Sequence, residues 1–162
     1  MLKVLIADDE IKVSELIQCL IDWDKLGMEV IGTVNDGVEA YELILEKHPD
    51  IVITDIRMPG MDGIELVEKV LGNVESDRKV FFVIISGYSQ FEYAQQAVKL
   101  GVEDYLLKPI KKKELEAVLH KILGKYSETA KRKICKTACR GPSKRLRTAS
   151  CRSWWTITGR PY

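Results

Sequence analysis

Five short aliphatic runs, each followed by a stretch of helical period, constrain this chain more than any other feature. The runs are Leu2–Ala7, Glu29–Val34, Ile51–Thr54, Val80–Ile85 and Asp104–Leu107. Brief apolar runs without strict alternation suit strands buried on both faces, as in a parallel sheet. Between them, Val13, Leu16, Ile17, Leu20 and Ile21 follow the spacing of one helix face, and Leu115, Val118, Leu119, Ile122 and Leu123 repeat it. Weaker helical stretches cover Asp36–Lys47, Asp62–Leu71 and Phe91–Leu100, the last closed by Gly101. Five βα units imply right-handed crossovers and helices on both faces of one sheet. The fold expected is a doubly wound α/β domain, a flavodoxin-like (βα)5 parallel sheet in the order 2-1-3-4-5. No apolar run approaches the roughly 18 residues that span a bilayer, and MLKVLIADDE turns acidic too early for a secretory signal.

The net charge of +1 hides a division. Residues 125–162 carry 11 Lys+Arg against the single acid Glu128, whereas residues 1–124 carry 14 Lys+Arg against 23 Asp+Glu. The first segment is read as the folded domain and the second as a basic tail. The tail has a Gly141-Pro142 breaker and no apolar stripe. Beyond a turn or two added to the last helix, it is expected to be disordered, because it buries too little to offset backbone ordering. Cys19, inside an apolar pattern, is expected to be a buried small hydrophobe. Cys135, Cys139 and Cys151 fit no zinc spacing, and a reducing, cytoplasmic compartment follows.

In doubly wound sheets function gathers at the carboxyl ends of the strands. There the sequence places Asp8-Asp9-Glu10 after the first strand, Asp55 after the third, Ser86-Gly87 after the fourth and Lys108-Pro109 after the fifth. With strands one and three adjacent, Asp8, Asp9 and Asp55 share one pocket. Two like charges about 4 Å apart repel by about 1 kcal/mol in water and about 4 at an effective dielectric of 20. Such acids call for a cation, and hard oxygen ligands suit Mg²⁺. Lys108 offers a point charge for a phosphoryl oxygen, and Ser86 a hydroxyl. The chemistry that follows is phosphoryl transfer to a carboxylate, with Asp55 the candidate nucleophile and Asp8 and Asp9 the metal-holding pair. Any single one of these acids taken alone reads better as a solvated loop residue; the chemical reading rests on acids, hydroxyl and lysine falling together at the ends of four strands.

Together, Asp8-Asp9, Asp55 with the following Ile56-Arg57-Met58-Pro59-Gly60-Met61-Asp62-Gly63 run, Ser86-Gly87-Tyr88, Tyr105 and Lys108-Pro109 resemble the receiver domain of two-component response regulators. The resemblance spans residues 1–124. It implies that a sensor histidine kinase phosphorylates Asp55. It also implies that Asp9, Asp55 and the Arg57 carbonyl ligate Mg²⁺ with Asp8 acting through water, and that Lys108 contacts the phosphoryl group. Ser86 and Tyr105 would form the switch: the new phosphoryl charge draws the hydroxyl, and the ring fills the space it leaves. On the residues alone, Tyr105 reads better as a half-buried strand aromatic, and the switch role rests on the resemblance. By the same resemblance the Lys108–Pro109 peptide is cis, the chain catalyses only its own phosphorylation and dephosphorylation, and a homodimer uses the face of the fourth helix, fifth strand and fifth helix. Asp22-Trp23-Asp24-Lys25-Leu26-Gly27 is similar to receivers joined to AraC-type helix-turn-helix transcription regulators.

Residues 125–162 lack the two apolar helical periods of such an output module, so DNA binding through one is not expected of this segment. Its readings are a solvated extension, a truncated or frame-shifted remnant, or a basic arm in which Trp154 and Trp155 stack on nucleic acid. Two rival classes share the strand-end chemistry. A haloacid-dehalogenase-like phosphatase needs a second acid where Arg57 stands, and a flavin-mononucleotide module needs a phosphate cradle where Asp8-Asp9-Glu10 would repel it. Met58–Gly63 reads as a turn into the third helix, and His48 and His120 as surface residues.

Overall fold

Each apolar run becomes a strand, and each helical period a helix. A computed structural model describes residues 1–73, 79–87 and 91–138. The elements are β1 (Leu2–Ala7), α1 (Ile11–Leu20), β2 (Met28–Val34), α2 (Gly37–Lys47), β3 (Ile51–Asp55), α3 (Gly63–Asn73), β4 (Phe81–Ser86), α4 (Phe91–Leu100), β5 (Asp104–Leu107) and α5 (Lys112–Ala138). The five strands form one parallel sheet ordered β2-β1-β3-β4-β5, the doubly wound order the sequence implies. Tyr88, the Gly141-Pro142 breaker, Cys139, Cys151 and Trp154-Trp155 lie outside the described residues, as does the rest of the tail from residue 139.

Strand alternation divides the core in two. Val4, Ile6, Ile51, Ile53, Val83 and Ile85 point to one face, against Ile17 of α1 and Leu115, Leu119 and Ile122 of α5. Leu5, Ala7, Val52 and Phe82 point to the other, against Ala40 and Ile44 of α2 and Leu66, Val67 and Val70 of α3. Ile56, Ile64, Ile84 and Ala97 fill a smaller cluster against which Tyr105 packs. The central β3 is buried along its whole length, which explains its unalternating IVITD sequence.

Helix ends are chemically marked. Asp36 caps α2, its Oδ1 accepting the Val38 N–H at 2.6 Å, so the residue lies just outside the helix it starts. Asp62 Oδ1 likewise accepts the Glu65 N–H at the start of α3. His48, in the left-handed region with φ 52°, closes α2 and is exposed, as is His120 on α5.

Two expectations change. Cys19 is exposed, not buried: the inward stripe of α1 runs through Ser14 and Ile17, and a residue two places beyond Ile17 lies roughly 200° around the helix. The last helix also does not end a turn or two past Gly124, since α5 continues to Ala138. No Gly or Pro interrupts Lys125–Ala138, and its Lys, Arg, Glu and Ala residues favour helix without an apolar stripe. The chain divides into two compact units, Met1–Ser127 and Glu128–Tyr162, and the sheet belongs to the first. Among the described residues, no helix is long and apolar enough to cross a membrane.

Candidate functional site

Ladder register brings the acids together. Ala7 of β1 pairs with Thr54 of β3, so the next residues, Asp8 just past β1 and Asp55 at the end of β3, lie side by side. The Asp8 N–H still donates to the Val34 carbonyl at 3.0 Å, carrying the β1–β2 ladder one residue further. Asp8 and Asp55 are buried, whereas Asp9 and Glu10 are exposed. One carboxylate oxygen from each of the four lies within 4.8 Å of the others.

Lys108 enters from two strands away. Its N–H donates to the Ser86 carbonyl at 2.8 Å, which fixes the end of β5 beside β4. The side chain then reaches across the end of the sheet. Its Nζ lies 2.6 Å from Asp55 Oδ2, 3.1 Å from Glu10 Oε1 and 3.3 Å from Asp8 Oδ1. Burial works against the Lys108 charge, but the bonds to Asp55 and then Asp8 outweigh it and raise the pKa well above the ordinary lysine value. Asp8 moves the other way in effect: desolvation, partly offset by the Glu10 N–H and by Lys108, raises its pKa and disfavours its charge.

A divalent cation fits this donor set. Asp8 Oδ2 is buried without a hydrogen-bond donor, and the Lys108 ammonium, 3.1 Å away, approaches it only as an ion pair. An anionic oxygen left in that position lacks a partner that a hard cation supplies, and the neighbouring carboxylates of Asp9 and Asp55 complete an all-oxygen set.

The remaining candidate residues surround this cluster. Arg57 is exposed in the loop after Asp55. Ser86 is fully buried at the end of β4. Tyr105 pairs with Ile84 and Leu107 with Ser86, so Tyr105 and Ser86 share one face of the sheet, a diagonal step apart. Tyr105 is half-buried. The Lys108–Pro109 peptide is cis.

Two contributors escape a reading of sequence. Glu10 stands beside the acidic pair, but only the fold reveals that it meets Lys108. Gly63 lets the start of α3 press against the Asp55 backbone: a Cβ there would fall 2.1 Å from the Asp55 carbonyl oxygen, and the Gly63 N–H donates to the Ile56 carbonyl at 2.7 Å. Glycine in the run after Asp55 was the available signal, though it pointed to a turn.

Comparison with known proteins agrees with this fold. Residues 4–120 match the model of the response regulator receiver domain, and the chain belongs to that family. A transcriptional regulatory protein of Bacillus subtilis (strain 168), YesN, is 45% identical over 124 residues, covering 76% of this chain and 33% of that protein. The transcriptional regulatory protein HptR of Staphylococcus aureus (strain NCTC 8325 / PS 47) is 39% identical over 123 residues, covering 76% of this chain and 47% of HptR. The chain thus spans a third to about half the length of these curated relatives. Among solved structures, the REC domain of AraT, a response regulator from Geobacillus stearothermophilus, is 40% identical with a TM-score of 0.72, covering 78% of this chain and 96% of that one. The response regulatory domain of mrkE from Klebsiella pneumoniae is 27% identical with a TM-score of 0.69, covering 78% and 98%.

Proposed function

We propose that this chain is a phosphorylation-gated switch that accepts a phosphoryl group on Asp55 from a sensor histidine kinase, with Mg²⁺, in a two-component system controlling transcription. The observation that carries this reading is the Lys108 ammonium held 2.6 Å from Asp55 Oδ2 at the edge of an acidic pocket. Asp8, Asp9, Asp55 and the Arg57 carbonyl would hold the ion. When bound, it supplies positive charge for the phosphoryl oxygens.

The chain's own residues do the rest. A carboxylate oxygen of Asp55 attacks phosphorus, an O–P bond forms, and the P–N bond of a phosphohistidine breaks with its electron pair leaving on the imidazole. With acetyl phosphate, a P–O bond breaks and acetate departs. Lys108 sits where its ammonium can balance charge on the transferred group. The buried Ser86 hydroxyl and the Tyr105 ring, on one face of β4 and β5, form the switch that reads the new charge. The chain acts on no other substrate.

Residues 1–124 are taken as the receiver and 125–162 as a basic segment without a recognisable output module, the whole working in the cytoplasm. A homodimer through α4, β5 and α5 belongs to this reading. The test is intact-mass measurement after incubation with acetyl phosphate and Mg²⁺. One labile phosphoryl adduct is expected, lost when EDTA replaces the metal and absent in Asp55→Ala. An undiminished adduct in that variant assigns the nucleophile elsewhere.

A further inference from the structure

We propose that Glu10 is a positioning residue for Lys108: its exposed carboxylate occupies the one ammonium N–H that an arriving phosphoryl oxygen can claim. The inference rests on the receiver reading above and deepens it.

An ammonium has three N–H donors and no acceptor. In Lys108 they meet three carboxylates, those of Asp55, Asp8 and Glu10. A fourth acceptor therefore requires one of these bonds to break. The side chains of Asp8 and Asp55 are only 2% and 8% exposed, so an unpaired charge on either is strongly disfavoured, while that of Glu10 is 62% exposed and rehydrates on release. Glu10 is the partner that yields.

Local structure holds Glu10 in place for this. It is the N-cap residue of α1, with its N–H bonded to Asp8 Oδ1 at 2.9 Å and its carbonyl accepting from Val13 and Ser14. Glutamate is not among the favoured capping residues, and its side chain makes no cap bond here. The carboxylate turns to Lys108 instead. Removing it leaves the ammonium an open N–H and speeds phosphorylation by small donors.

The experiment uses the full chain as wild type, Glu10→Ala, Lys108→Met and the double variant, following adduct formation with acetyl phosphate and Mg²⁺ by intact mass. Alanine is chosen because a glutamine carbonyl would still accept from the ammonium. Glu10→Ala is expected to accelerate the reaction about fivefold, the scale of one exposed ion pair, and to change nothing in the Lys108→Met background. Equal acceleration in both backgrounds would overturn the proposal, because Glu10 would then only repel the anionic donor. An unchanged or slower rate in Glu10→Ala alone overturns it too. A second arm needs neither donor nor metal: the Lys108 Nζ resonance in ¹⁵N NMR is expected to shift on Glu10→Ala, and an unmoved signal contradicts the contact. Absence of any adduct in wild type would instead sink the receiver reading, with the NMR arm still deciding the contact.

Discussion

Gly63 and Asp55 are in backbone contact so close that no side chain fits between them, a Cβ at Gly63 falling 2.1 Å from the Asp55 carbonyl oxygen. The start of α3 thereby serves as the back wall of the candidate phosphoacceptor. Gly63→Ala is expected to cost about 1–3 kcal/mol through overpacking and to slow phosphorylation by shifting Asp55. Gly72, exposed in the same helix with nothing within 4 Å of an added Cβ, provides the control. Gly72→Ala is expected to stabilise by about 0.4–1 kcal/mol. Urea unfolding of the two variants measures both.

Lys108 neutralises two buried acids at once. Lys108→Met is expected to lower stability by about 1–3 kcal/mol at neutral pH, the cost of leaving buried acceptors without their donor. The variant should also gain more from added Mg²⁺ than wild type does, because its two buried carboxylates have lost the ammonium's counter-charge and the cation supplies it. Thermal unfolding with and without the metal checks this. A smaller Mg²⁺-dependent rise in Tm for Lys108→Met than for wild type contradicts it.

Asp8 sets a pH dependence of definite sign. Burial raises its pKa above the ordinary 3.8, so the folded chain binds this proton more tightly than the unfolded chain does. Its contribution to stability therefore falls as pH rises from the ordinary value through the folded one. Asp8→Asn is expected to gain stability relative to wild type across that window. Urea unfolding at about pH 3 and pH 7 should show the advantage of the variant at pH 7 alone.

The two faces of the amphipathic pattern differ in cost. Ile53, 1% exposed between β1 and β4, should lose about 2–5 kcal/mol on change to Ala. Leu16 belongs to the apolar spacing of α1 yet is 46% exposed, so Leu16→Ala should stay within about 0.5 kcal/mol of wild type. Chemical denaturation of both distinguishes the core stripe from the periodicity that announced it.

Period was legible because it reflects burial, whereas the strand order followed from the usual arrangement of flavodoxin-like sheets. The unalternating run of Ile51–Thr54 reads as a strand covered on both sides, and it is the sheet's middle strand. The acids were legible as a cluster because strand-end residues of adjacent parallel strands lie side by side, as Asp8 and Asp55 do. What escaped depends on angle and reach. Leu16 and Cys19 fit an apolar list but lie off the inward stripe of α1. The continuation of α5 to Ala138 rests on backbone propensity, which an apolar pattern does not display. Glu10 escaped because its role depends on a lysine 98 positions away crossing two strand ends.

The most direct test of the account is the address of the phosphoryl group. Borohydride reduces an aspartyl phosphate to homoserine, so treating the chain after reaction with acetyl phosphate and Mg²⁺, followed by peptide mapping, locates the acceptor. Homoserine at position 55 is the predicted result. Reduction at position 8 or 9, or no reduced residue in a chain that carries the adduct, would contradict it.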